Sequence, residues 1–421
     1  MRRVFLGLFW IISGGISICA QASVPALPAY AFSQNEIDVI YDRHVFEELE
    51  AVVRTAKRSV RIDFFIFGGP SAERILDVLL QKQKEGVKVK VMLDRRLARF
   101  FTTYPERLAF VNRLRAGKIP FTYATQAPIL MNVPKKTIDH NKVVVVDEQV
   151  AMVGSSNVGS WFYRYHDQMF FLRGPLAQDL ARQFDFDWYN STHLEAVVRE
   201  QAEISVPIFD QAAEDAKVSW ARVTSVGIGR ETARAALNQV LDRAQLSIDL
   251  QMHEFSDPSL IEKLVRAKKR GVRVRVLLDP WEIGRWLPVL NVLPKGIANV
   301  PSTDALLRAG IDVRTFHLGE DYQVAHMKSV VIDGHVLYAG SSNWTFDGFK
   351  TVIECNLEVH GGRAPGEALA QFEWDWSDRS DPALAPDSLA WKFYQIYRKV
   401  SGASDNLKEF LELIEARGYK S

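Results

Sequence analysis

Two tandem copies of one α/β unit, each a mixed, mostly parallel sheet covered by helices, with a single central active site shared between them: this is the fold the sequence predicts. Three observations carry it. A strand-helix-strand order opens each half. The Gly that stops the helix lies eight residues before an Asp in both halves, at Gly86 and Asp94 and again at Gly271 and Asp279. An eighteen-residue template then recurs at an offset of 186 residues. Repetition at one fixed distance marks a duplicated unit, and β-α-β order implies parallel strands with a helix packed over them.

The chain has 421 residues, 47% of them hydrophobic, enough for two cores of ordinary size. Residues 1–22 carry Arg2 and Arg3, an apolar run from Val4 to Ile18 and then Ala20-Gln21-Ala22. That is the pattern of a secretory signal peptide cut after Ala22, which places the mature chain in the periplasm or outside the cell. An uncleaved N-terminal anchor is the alternative. With only Cys19 and Cys355 in the sequence, a processed chain has no internal disulfide.

Residues 23–36 read as a proline-containing linker and 37–200 as the first unit. Within it, 59–67 is a β-branched and aromatic strand, 71–85 a helix with an apolar stripe at Ile75, Leu76, Leu79 and Leu80, and 87–93 a second strand. Residues 201–230, polar and then Gly-rich, read as the connection. The second unit, 231–385, repeats the order with a strand at 246–251, a helix at 258–270 and a strand at 272–278. Residues 386–421 form a C-terminal extension, amphipathic through Leu407, Phe410, Leu411 and Leu413.

The template reads HNKVVVVDEQVAMVGSSN from His140 and HMKSVVIDGHVLYAGSSN from His326. The runs after each Lys are short buried strands, so His140 and Lys142, two apart, share a face, as do His326 and Lys328. Asp147 and Asp333 fall at a hairpin turn about 15 Å of strand away, which predicts a structural role. Each Gly-Ser-Ser-Asn can turn into a helix whose free N–H groups face an anion. Two such units together would set His140, His326, Lys142, Lys328, Asn157, Asn343 and the serines Ser155, Ser156, Ser341 and Ser342 around one phosphate.

Both copies match the signature HxKxxxxDxxxxxxGSxN without a substitution, and in this the chain resembles the phospholipase D superfamily over roughly residues 37 to 380. The chemistry suits the residues: a neutral imidazole attacks phosphorus and leaves again, while a second one protonates the departing oxygen and then activates the incoming water or alcohol. Lysines compensate the phosphate charge. The resemblance implies a phosphohistidine intermediate, no metal or other cofactor, and His140 as nucleophile with His326 as acid. Asp167 follows His140 by 27 residues and Glu354 follows His326 by 28, and each could accept a hydrogen bond from an imidazole Nδ1. Family members use a downstream acid in this way.

Substrate is less sharply indicated. Lys and Arg total 52 against 51 Asp and Glu, which removes any general attraction to a polyanion. Aromatic segments at 100–104 and 281–293, Trp161-Phe162-Tyr163, and Trp344 as a substrate contact suit acyl chains or a membrane surface. The expected activity is therefore a phosphodiesterase or phosphatidyltransferase acting on phospholipids, with hydrolysis ahead of transfer. A nuclease is the alternative, with Arg95, Arg96, Arg99, Lys135 and Lys136 along a groove. A cardiolipin synthase ranks behind both, since such enzymes in this superfamily usually carry membrane-spanning helices or lie on the cytoplasmic face.

Overall fold

A computed structural model of the chain describes residues 25–94, 105–124, 138–193, 206–211, 217–227, 230–280 and 299–383. The expected signal peptide, the aromatic segments at 100–104 and 281–293, the basic residues Arg95, Arg96, Arg99, Lys135 and Lys136, and the C-terminal helix lie outside the described residues. Among those described, no helix is long and apolar enough to cross a membrane.

From its outer edge inward, the first half orders its strands Phe121–Ala124, Lys88–Asp94, Ser59–Phe64, Lys142–Val146, Val150–Gly154, Gln168–Arg173 and Ser33–Tyr41. The second half repeats this as Asp312–Phe316, Arg273–Leu278, Ser247–Met252, Lys328–Ile332, Val336–Gly340, Val352–His360 and Ser219–Val226, with Ser380–Pro382 added outside. Only the outer three strands of each set run parallel, because these are the ones joined over helices; the template hairpins supply antiparallel neighbours. The crossover helices are Gly69–Lys84 and Pro258–Lys269, each followed by a Gly in the left-handed region, Gly86 and Gly271.

One sheet per half was the expectation, but the two halves meet in a single sheet. Ser33–Tyr41 pairs antiparallel with Ser219–Val226 at Ser33↔Ala221, Gln34↔Trp220 and Asn35↔Ser219. These two strands lie partly inside the stretches expected to be linker and connection. Pairing them removes what would otherwise be an open edge on each half. The sheet is buried on both faces, which explains the unbroken apolar run after each template Lys. Val143 and Val145 enter a core continuous with the second half, while Val144 and Val146 enter the first half's other core. Each fully buried valine contributes about 1.5 to 2 kcal/mol.

Two buried ion pairs anchor the helices Ala364–Asp378 and Leu176–Thr192, through Asp375 and Asp187. His166 is enclosed, its Nδ1 3.0 Å from Asp42 Oδ1 and its Nε2 2.9 Å from Asp375 Oδ2, with the ring stacked on Phe316. Burial works against its charge, but the two carboxylates outweigh that and push its pKa up to about 9. In the second pair, Arg230 lies 2.8 Å from Asp187, whose carboxyl burial pushes up to about 7 against the pull of that guanidinium.

Candidate active site

Each template histidine is held by the half to which it does not belong. Ile138–Asp139 runs parallel to Val352 and Ile353, and the His140 N–H donates to Ile353 O at 2.9 Å. Val324–Ala325 runs parallel to Tyr165 and His166, and the His326 N–H donates to His166 O at 2.7 Å. The residue before each histidine is tied to its own half: Asp139 N donates to Asp94 Oδ2 and Ala325 N to Asp279 Oδ2, both at 2.7 Å. Those two strand-end aspartates, visible in the sequence only as markers of the repeat, thus help aim the histidine strands.

The downstream acids complete the exchange. His326 Nδ1 is 2.9 Å from Asp167 Oδ2, and His140 Nδ1 is 3.1 Å from Glu354 Oε1. Each acid therefore serves the histidine of the other half. With both Nδ1 atoms engaged, Nε2 is the nitrogen left to face a substrate in each ring. The side chains keep 12% and 9% exposure for His140 and His326, enough to be reached from solvent.

Lys142 and Lys328 are buried, and each donates to the carbonyl of its own histidine, His140 O and His326 O, at 2.5 Å. Burial pushes Lys142 down to about 7 and Lys328 down to about 8, against the attraction of carboxylates from both halves. Both histidines respond to burial and to this positive charge. His140 falls to about 4, and His326 lies well below the usual imidazole range. Both imidazoles are thus held neutral, and a bound anion offsets the cationic contribution to these shifts.

Of the remaining template residues, Asn157 and Asn343 are buried or half-buried, and the Oδ1 atom of each has no hydrogen-bond partner. An amide with one end unengaged can present donor or acceptor as a ligand requires. Ser155 and Ser341 were expected to donate to the phosphate, and the structure corrects this: their hydroxyls are given to Asp167 and Glu354, which they hold in place. Ser156 turns its hydroxyl to Asn157 O at 3.3 Å, and Ser342 accepts from Asn356 Nδ2 at 2.8 Å.

Asp147 accepts backbone N–H groups from Lys57, Arg58 and Ser59, and Asp333 those from Gln245, Leu246 and Ser247. Both stand in left-handed hairpin turns. They lock the hairpin to the start of the neighbouring strand, far from the histidines. The helix expected directly after Gly-Ser-Ser-Asn is absent among the described residues. A 3-10 turn, Ser160–Arg164, stands in one half, and in the other the five-residue helix Phe346–Lys350, whose Gly348 N–H is already taken by Thr345.

Trp344 is another correction. It is 2% exposed and packs edge-on against Phe255, filling the core position held by Val158 in the first half, so it is a core residue and not a substrate contact. Trp161 does stand out into solvent, 61% exposed.

Two site residues had no counterpart in the sequence reading. His253 packs on His326 with ring centroids 4.8 Å apart, as Phe65 packs on His140 at 4.9 Å. Glu254 accepts from Asn343 Nδ2 at 3.4 Å, at the place where the first half has Ile66. Aligning the halves on their first strands would have found them, because that alignment sets a histidine opposite a phenylalanine. Among the described residues no group of His, Cys, Asp and Glu side chains is arranged to hold a metal ion.

A family model described as "Cardiolipin synthase, PLD-like domain" matches the chain twice, over residues 49–188 and 237–376. Cardiolipin synthase 1 of Staphylococcus epidermidis is 23% identical over 363 residues, covering 82% of this chain and 69% of that protein. Cardiolipin synthase A of Pseudomonas syringae is 25% identical over 353 residues, covering 80% and 68%. Among solved structures, phosphatidylserine synthase of Haemophilus influenzae superposes with a TM-score of 0.65 at 13% identity, over 91% of this chain and 97% of that one. Polyphosphate kinase of Porphyromonas gingivalis does so with 0.53 at 15%, over 89% and 56%. These likenesses show a common fold. With the family model matched in both halves, over more than half of the chain, this protein belongs to the phospholipase D-like family and is a phosphodiesterase or phosphatidyltransferase of that superfamily.

Proposed function

We propose that the protein is a phosphatidyltransferase: it takes the phosphatidyl group of a phospholipid onto His140 and passes it to an alcohol. The observation that carries this is the crossed pairing of His140 with Glu354 and His326 with Asp167, which leaves two Nε2 atoms to act on one phosphate. Neutral His140 attacks phosphorus, and the P–O bond to the head group breaks. His326, protonated as the phosphodiester brings its negative charge into the site, gives that proton to the leaving oxygen. Lys142 and Lys328 stabilise the charge on the transferring group. An acceptor hydroxyl then loses its proton to His326, its oxygen bonds to phosphorus, and the P–N bond returns its electron pair to His140.

Sequence alone put hydrolysis ahead of transfer. The names of the relatives, cardiolipin synthases in two genera, support the opposite order. Incubating the purified protein with phosphatidylglycerol and phosphatidylethanolamine vesicles, and in parallel with single-stranded and duplex DNA, tests the proposal against His326→Ala. A transferred lipid made by wild type alone is the expected result. Cleaved DNA beside untouched lipid would overturn it in favour of a nuclease.

A further inference from the structure

The active site is twofold in its template residues and lopsided in what surrounds them. Beside His140 the first half sets Phe65 and Ile66. Beside His326 the second half sets His253 and Glu254. The two rings pack in the same way, tilted 60° and 55° to their histidine. A phenyl ring therefore suffices for packing at this place. An imidazole there adds polar nitrogens, with a hydrogen bond to the Ala325 backbone, and carries a desolvation cost that a phenyl ring does not. Burial and the charge of Lys328 hold His253 well below the usual imidazole range, so it is neutral at ordinary pH. Glu254 lies next to it in sequence and reaches Asn343. Two polar residues thus replace two apolar ones at one edge of one site.

We infer that His253 and Glu254 form the acceptor side of the site, binding the incoming hydroxyl compound for the second half of the reaction. This rests on the transfer reading above. In a two-step exchange the acceptor enters where the leaving alcohol departed, next to the residue that gave up a proton and must now take one, which is His326. His253 packs against that residue and Glu254 lies beside its Asn343. There the acceptor's O–H proton passes to His326 Nε2 while its oxygen forms the new P–O bond and the P–N bond to His140 breaks. His253 and Glu254 hold the acceptor by hydrogen bonds and exchange no proton with it.

His253→Phe, which copies the residue of the other half, is the variant to make, with His253→Gln retaining hydrogen-bonding capacity. Phosphatidylglycerol vesicles with added isotopically labelled glycerol serve as probe, so that transfer appears as label in the lipid. Phosphohistidine, quenched with denaturant at alkaline pH where the P–N bond survives, and the ratio of phosphatidyl transfer to phosphatidic acid are read for each protein. In His253→Phe, phosphohistidine is still expected to form, with the transfer-to-hydrolysis ratio down about tenfold, and His253→Gln is expected to recover part of that ratio. An unchanged ratio and occupancy in both variants would overturn the inference alone. A wild type that forms no phosphohistidine from the lipid brings down the functional proposal, and this inference with it.

Discussion

The first half surrounds its histidine with Phe65 and Ile66, and the second surrounds its own with His253 and Glu254; yet both hold the template hairpin by the same three backbone N–H groups to an aspartate. Duplication has kept the template and the turns that place it, and has let the residues packed beside each histidine differ. Two buried pairs also cross between the halves, His166 with Asp375 and Arg230 with Asp187. A symmetric frame can thus carry an asymmetric reaction, in which one imidazole attacks and the other handles protons.

The sharpest way to break this comparison is to remove one histidine at a time. His140→Ala and His326→Ala should each lower turnover about 10⁴-fold or more while leaving the melting temperature nearly unchanged, because each takes half of a shared site. A variant that keeps near-normal turnover would mean two independent sites.

Next come the acids. Asp167→Asn and Glu354→Gln should each cost about 10² to 10⁴ in kcat by loosening the ring they orient. The crossed pairing adds a distinction: Glu354→Gln should slow formation of the phosphohistidine on His140, and Asp167→Asn the proton transfers of His326. Quench-flow on both variants separates the two, and the reverse assignment would exchange the roles of the halves.

On the pH axis, neutral His140 persists down to about 4, whereas Lys142 and Lys328 lose their charge near 7 and 8. The profile of kcat/KM, which reports the free enzyme, should therefore fall as pH rises through that range. A profile still rising at pH 8 would show that the lysine charges are not needed.

How much of this was legible beforehand follows from the range of the interactions. The β-α-β units, the template strands and the hairpin aspartates rest on local pattern, and Asp147 and Asp333 stand in the turns where their spacing put them. The crossing of Asp167 to His326 and of Glu354 to His140 spans 159 and 214 residues, and no periodicity encodes it. Strand Ser219–Val226 hid in a polar stretch because its role is to close an edge, and Trp344 looked like a rim aromatic because nothing local shows that Phe255 lies against it.

Stability gives smaller effects. The His166 pKa is raised in the folded state to about 9 from an ordinary value of about 6.5, so its contribution is fully present below pH 6.5 and lost as pH rises through 9. His166→Leu should lose on the order of 3 kcal/mol in urea unfolding at pH 6, a difference that shrinks by pH 10. The Arg230 side, whose cation does not titrate there, should show no such alkaline loss. Smallest of all, Asp147→Ala and Asp333→Ala should each cost about 1 to 3 kcal/mol of stability with little change in activity per folded molecule. Unequal costs would mean that the two hairpins no longer do the same work.

The exchange of acids between halves also sets when the protein can act. Synthesis proceeds from the N terminus, so His140 and Lys142 emerge long before Glu354 exists, and His326 closes on Asp167 only once the second half has been made. A truncated or half-made chain carries one complete template and no oriented pair. An enzyme aimed at phospholipids is thereby inert through most of its own production, and its chemistry begins only when nearly the whole chain has been made and folded.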